Sequence, residues 1–361
     1  MFKSALPLSL LLSVSAFANT DVVTSIKPVS MIVSAVGGGY VNTQQLVTSQ
    51  SSPHDFALRP SDLRKLNQAD LVVWVGESLE SFLEKPLANL GTKKDIEWMA
   101  LNGMTLREFG EDEHEHHDEH EHHDEHEHHD EHEHHDEHEH HDEHEHHDEH
   151  EHHDEHEHHD EHEHHDEHEH HDEHEHHDKH EKDDHAGHDH SGTDPHVWLD
   201  PDNAIVLAKA VAERLSQIDP DHAAEFDANY QAFAKNLSSV DAKVASQLAP
   251  VANVPYFVFH EAYGYFENQY GLNNLGAVTV SPDRKPGAKT VAYIREEIEK
   301  HQVTCIFSEP QFSPAIVETL VNGTDVKTGV LDPLGTSMDL TDATYSDFLQ
   351  SLASQYSACL K

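Results

Sequence analysis

The chain has 361 residues, 71 acidic side chains against 22 basic ones, 42 histidines and a formal net charge of −49. That balance excludes nucleic acid as a partner, because phosphate binding needs a basic face. Much of it comes from one block, Asp112 to His177, where DEHEHH repeats eleven times and supplies 33 histidines and 33 carboxylates; the rest of the chain carries −16.

Residues 1–18 place Lys3 before a short apolar run and end in the A-x-A sequence Ala16-Phe17-Ala18. This predicts a secretory signal, with the mature chain starting near Asn19. No cysteine near the cleavage site would carry a lipid anchor, and no later apolar run is long enough to span a bilayer, so the mature protein is not expected to be membrane-embedded. An N-terminal lobe is predicted over 19–221. In it, DVVTSI reads as a strand and KPVSMIVSAVGGG as a helix opened by Pro28. VNTQQLVT is a strand, LRPSDLRKLNQAD a helix, LVVWVG a strand without polar residues, SLESFLEKPLANL a helix and DIEWMAL a strand. Strands alternating with helices imply an α/β layer fold, and the apolar LVVWVG belongs inside a parallel sheet.

The lobe is interrupted over 111–192. A block without apolar side chains cannot offset the roughly 1–2 kcal/mol per residue that ordering costs, so the sequence predicts a disordered loop there. Asp200-Pro201 then opens an amphipathic helix. Residues 222–249 contain no internal glycine or proline, which predicts a helix of about 42 Å linking two lobes. A second α/β lobe is predicted over 250–361. Its strands are VPYFVF, VTCIFSE and VKTGVLD; its helices are EAYGYFENQYG, AKTVAYIREEIEKH, SPAIVETLVNG and TYSDFLQSLASQYSACLK. The fold class expected is therefore α/β, with two similar lobes joined by a long rigid helix and a ligand site in the cleft between them.

The two cysteines, Cys305 and Cys359, are expected to pair in an oxidising compartment. Nine histidines lie outside the block. His54 in SSPHDF, His196 in DPHVWLD and His260 in FVFHEAYGYF each sit at a strand-to-helix junction, where α/β sheets bind ligands. Asp332 in GVLDPLG shares that placement. Three imidazoles and a carboxylate suit zinc, which takes nitrogen and oxygen ligands in a tetrahedron. His222 and His301 lie on helices or at their ends and read as surface residues. Within the block, histidines two and three apart such as His114, His116, His117 and His120 offer short chelating pairs. His180, His185, His188 and His190 continue that low-complexity character. The block reads as a low-affinity zinc collector. Two other readings compete: a hydrolytic zinc enzyme with Glu261 as base, and a metal store for which the lobes are a carrier.

The stretches PHDFALRPSDLRKLNQADLVVWVGESLESFL, DPHVWLDPDNA, FHEAYGYFENQYGL, SEPQFSP and LDPLG resemble the ZnuA-like zinc-binding solute-binding proteins of bacterial ABC transporters, in the metal-specific cluster of such proteins. The resemblance covers nearly the whole mature chain. It implies zinc ligands at His54, His196 and His260, with Asp332 or water fourth, and a Cys305–Cys359 disulfide. It further implies a monomer that hands zinc to the permease and ATPase subunits of an importer, and no enzymatic activity. Manganese relatives carry a carboxylate where His260 stands, so imidazole there moves the preference toward zinc.

Overall fold

A computed structural model describes residues 19–48, 51–90, 94–109, 192–279, 286–340 and 344–361. The signal-like residues 1–18 and the DEHEHH block, with His180, His185, His188 and His190, lie outside the described residues.

The first sheet is built from β1 (Thr20–Thr24), β2 (Val41–Gln45), β3 (Leu71–Trp74) and β4 (Asp95–Glu97), all parallel, in the order β2-β1-β3-β4. The second repeats that order with β5 (Tyr256–His260), β6 (Asn274–Thr279), β7 (Cys305–Ser308) and β8 (Lys327–Val330), as β6-β5-β7-β8. Parallel strands require crossover helices. In the first lobe these are α1 (Lys27–Gly37), α2 (Pro60–Gln68) and α3 (Ser81–Leu90); in the second, α6 (Gly264–Tyr270), α7 (Ala288–His301) and α8 (Ala315–Val321). β3, β5 and β7 are buried along their whole length, as continuous apolar strands between two helical layers must be.

Between the lobes run α4 (Pro201–Ile218) and the 26-residue α5 (Ala223–Leu248); α9 (Tyr345–Leu360) closes the chain. Asp200 caps α4, its side chain accepting from the backbone N–H groups of Asp202 at 2.7 Å and Asn203 at 3.2 Å. α5 buries Phe226, Phe233, Leu237, Val244 and Leu248, with Tyr230 and Val240 packed beside them. That is a stripe with the three- and four-residue spacing of one narrow helix face. The expected linking helix is therefore present, but not as a lone rod: α4, α1 and α9 all pack along it. The Cys305–Cys359 disulfide ties β7 to α9.

One strand departs from the sequence expectation. β6 was not foreseen in GLNNLGAVTV, where Gly276 sits at φ 135° and the pairing with β5 shifts register between Tyr256 and Val258. Glycine weakens a strand pattern, and an irregular edge strand leaves little alternation to read. Where the chain leaves the described residues and returns, Glu108 and Thr193 form an antiparallel bridge. Phe109 N–H donates to Gly192 O at 3.0 Å, and Asp194 N–H to Arg107 O at 2.8 Å. No described helix is long and apolar enough to cross a membrane.

Candidate metal centre

Each lobe delivers its histidines differently. His54 lies in the loop between β2 and α2 and is half-buried. His196 precedes a single 3-10 turn, Val197–Leu199, and is 1% exposed; His260 is the last residue of β5 and is 4% exposed. β5 neighbours β6 on one side and β7 on the other, so His260 ends a strand at the point where the strand order reverses. Crevices form at such points, outside the carboxyl ends of the strands.

The three rings converge. A nitrogen of each lies within 4.8 Å of the others. The Nε2 atoms of His54 and His196 are 3.3 Å apart. Two ligands about 2.0–2.1 Å from one zinc at a tetrahedral angle stand about 3.3 Å apart, so this edge already has zinc dimensions.

Both buried imidazoles are oriented from behind. His196 Nδ1 lies 2.6 Å from Asp194 Oδ1, which also accepts the His196 backbone N–H at 2.9 Å. Burial works against ionising Asp194, but the His196 contacts and Arg107 outweigh it and hold the carboxyl below its ordinary range. An ionised carboxylate has no proton to give, so His196 Nδ1 is the donor and Nε2 is left with its lone pair facing the cleft. Burial also pushes the His196 pKa down, against the pull of Asp194, which keeps the ring neutral and able to bind a metal. His260 repeats the arrangement, with Nδ1 2.6 Å from Glu309 Oε1. A carboxylate behind a ligating imidazole fixes its orientation and raises its basicity.

The histidines open into a small cleft, walled chiefly by Pro53, Trp198, Phe312, Pro333 and Leu334. Apolar walls strengthen the attraction between a cation and its ligands by excluding water. Gln311 also lines this cleft. Asp332 is buried, but it is not among the residues whose ligand atoms all meet within 4.8 Å. Its Oδ2 accepts from Thr336 Oγ1 at 2.7 Å, while Oδ1 is buried without a hydrogen-bond partner among the described residues.

His222, read from sequence as a surface residue, places Nδ1 2.6 Å from Asp219 Oδ2 and stacks on Tyr40 with ring centroids 3.9 Å apart. His301 stays on the surface, with Nε2 2.9 Å from Glu297 Oε2. Asp194 and Glu309 were not singled out from sequence. The signal for Asp194 was its place two residues before His196 in DPHVWLD. Glu309 lies in SEPQFSP, just beyond β7.

A family model described as zinc-uptake complex component A, periplasmic (ZnuA), matches residues 22–359. The high-affinity zinc uptake system protein ZnuA of Haemophilus influenzae is 46% identical over 350 residues, covering 97% of this chain and 96% of that one. Its namesake from Haemophilus ducreyi is 39% identical over 360 residues, covering 100% and 99%. A solved structure described as the crystal structure of ZnuA matches with a TM-score of 0.66 at 19% identity, covering 95% of this chain and 100% of that one. The AdcAII protein of Streptococcus pneumoniae matches with a TM-score of 0.64 at 23% identity, covering 94% and 98%. At those identities the two structural matches establish the fold alone.

Proposed function

Because the chain belongs to the ZnuA family of periplasmic zinc-uptake complex components, we propose that it captures zinc in the periplasm. It then hands the ion to the permease and ATPase subunits of an ABC importer. The protein binds and releases zinc and catalyses no reaction; zinc is cargo. The observation that carries this reading is the convergence of the His54, His196 and His260 nitrogens within 4.8 Å, two of them backed by buried carboxylates. Three imidazole ligands favour zinc over the hard, oxygen-seeking cations. The fourth position is filled by water, because Asp332 stands outside the converging set. The protein acts as a monomer, and its signal peptide is removed before Asn19.

Competition against a chromophoric chelator tests the tight site. One zinc per chain should bind, and manganese should not displace it. Manganese displacing zinc at equal concentration would overturn the reading.

The DEHEHH block serves as the collector. Each unit offers closely spaced imidazoles, neutral near pH 7, inside a dense negative run that concentrates cations. Chelation by a run of this composition carries an ordering cost that a preorganised site does not, so its sites are weaker than the cleft and zinc flows downhill to it. Deleting 112–177 should remove several weak zinc equivalents and leave the tight one intact. A deleted protein that binds as many zinc ions as the full chain at pH 7 would end the collector idea.

A further inference from the structure

The imidazole of His196 is held by residues from three separate stretches of chain. Asp194 Oδ1 faces the ring, while Oδ2 accepts from Arg107 Nη1 at 2.7 Å. The Tyr265 hydroxyl accepts from the Arg107 backbone N–H at 3.1 Å and donates to the Asp194 carbonyl at 2.9 Å. Arg107 is 8% exposed and Asp194 fully buried. The Arg107 guanidinium is seated against Gly264, where a Cβ would lie 1.9 Å from Nη1 and 2.1 Å from Cζ. Gly264 opens α6, four residues beyond His260. The groups that orient one ligand therefore rest on the segment that follows another.

A buried ion pair is a poor stabiliser, since desolvating two charges consumes most of their attraction; its better-attested use is to fix a geometry. Here the geometry is that of the metal centre. We propose that Arg107 and Asp194 are positioning residues for zinc. Asp194 keeps the proton of His196 on Nδ1, so that Nε2 presents a lone pair to the cleft. Arg107 holds the Asp194 carboxylate aimed through its 2.7 Å Nη1–Oδ2 contact, and by docking on Gly264 and Tyr265 it sets His196 against His260 across the lobes. This rests on the three-histidine zinc site proposed above.

An amide at 194 tests the tautomer. Its N–H can turn toward Nδ1, which places the ring proton on Nε2, where the metal must bind. Asp194→Asn in the full chain should weaken zinc binding about 10- to 100-fold, the usual range for groups behind a metal ligand. Nitrogen-15 shifts of the metal-free protein should show the His196 proton moved to Nε2. Lost affinity with an unmoved proton would overturn the proposal.

Gly264→Ala tests the docking without touching either charge. The obstructing atoms are the far end of a flexible side chain, so the fold survives while the guanidinium must leave its seat; zinc affinity should fall about tenfold. A folded Gly264→Ala protein with parental affinity would refute the inter-lobe role. Arg107→Lys should recover most of the affinity that Arg107→Met loses, because only lysine restores a cation to Asp194. Equal affinities in those two would reduce Arg107 to packing and sink the proposal. If His196→Ala itself leaves zinc affinity intact, it is the three-histidine site that fails, which keeps the two outcomes separate.

Discussion

His196 and His260 share a construction: each is buried with a carboxylate 2.6 Å behind its Nδ1, while His54 is half-buried in the loop between β2 and α2. All three supply a nitrogen, so alanine at any one should weaken zinc more than tenfold in a competition titration. Asp332→Asn should cost less than tenfold, because Oδ2 is engaged by Thr336 and the carboxylate stands outside the converging set. A second residue-scale expectation concerns pH. Burial pushes the carboxyls of Glu80 and Glu267 up from 4.5 to about 7. Their folded forms thus bind protons more tightly than their unfolded forms. Each contributes stability that is full below pH 4.5 and lost as pH rises through about 7. The loss is about 3 kcal/mol per group. Glu80 Oε2 accepts from the backbone N–H groups of Val75 at 2.8 Å and Gly76 at 3.1 Å, bonds an amide oxygen can keep. Glu80→Gln should therefore match the parent in urea titrations at pH 5 and exceed it at pH 8. The three converging histidines were legible in sequence because each lies just ahead of a helical segment, His260 at a strand end and the other two in loops, where an imidazole has few packing uses. Arg107 and Glu309 were not. Charged side chains are common, and what singles these two out is a partner far along the chain: Tyr265 lies 158 residues from Arg107, and His260 lies 49 from Glu309.

At the scale of elements, sequence patterns worked wherever one face had to be buried. The unbroken apolar run of β3 and the long glycine-free stretch of α5 are both strong signals, and both elements stand where the patterns put them. Failure came at β6, where glycine and a register shift erase the alternation. The role of α5 was also only half legible. Its buried stripe says that something packs on it, but not that α1, α4 and α9 all do. Leu237, fully buried in that stripe, should cost 2–5 kcal/mol on truncation to alanine, roughly as core leucines do. Lys243, exposed further along the same helix, should change stability by less than about 0.5 kcal/mol. Chemical denaturation of the two variants checks the contrast; equal losses would mean that α5 is not packed by this face.

For the whole molecule, the disulfide encloses a long loop, with 54 residues separating Cys305 and Cys359. In the chain-entropy account such a closure stabilises by roughly 4 kcal/mol. Thermal melts with and without reductant should therefore differ by several degrees, and mass spectrometry of unreduced peptides should show the linked pair. α9 has a consequence that concerns time rather than strength. It lies against α5 and α1, and the segment just before it accepts from Lys27 Nζ at the Met338 carbonyl, 311 positions along the chain. The core around the first helix is thus completed by the last one. Contacts that distant form slowly, because the intervening chain must be closed before they return anything. Until α9 emerges, a growing chain leaves the faces of α1 and α5 that it covers without that cover. Removing 344–361 should accordingly abolish the cooperative transition of the entire described unit, not merely of the second sheet, and a truncated protein that still melts in one sharp step would show that the order of assembly is otherwise.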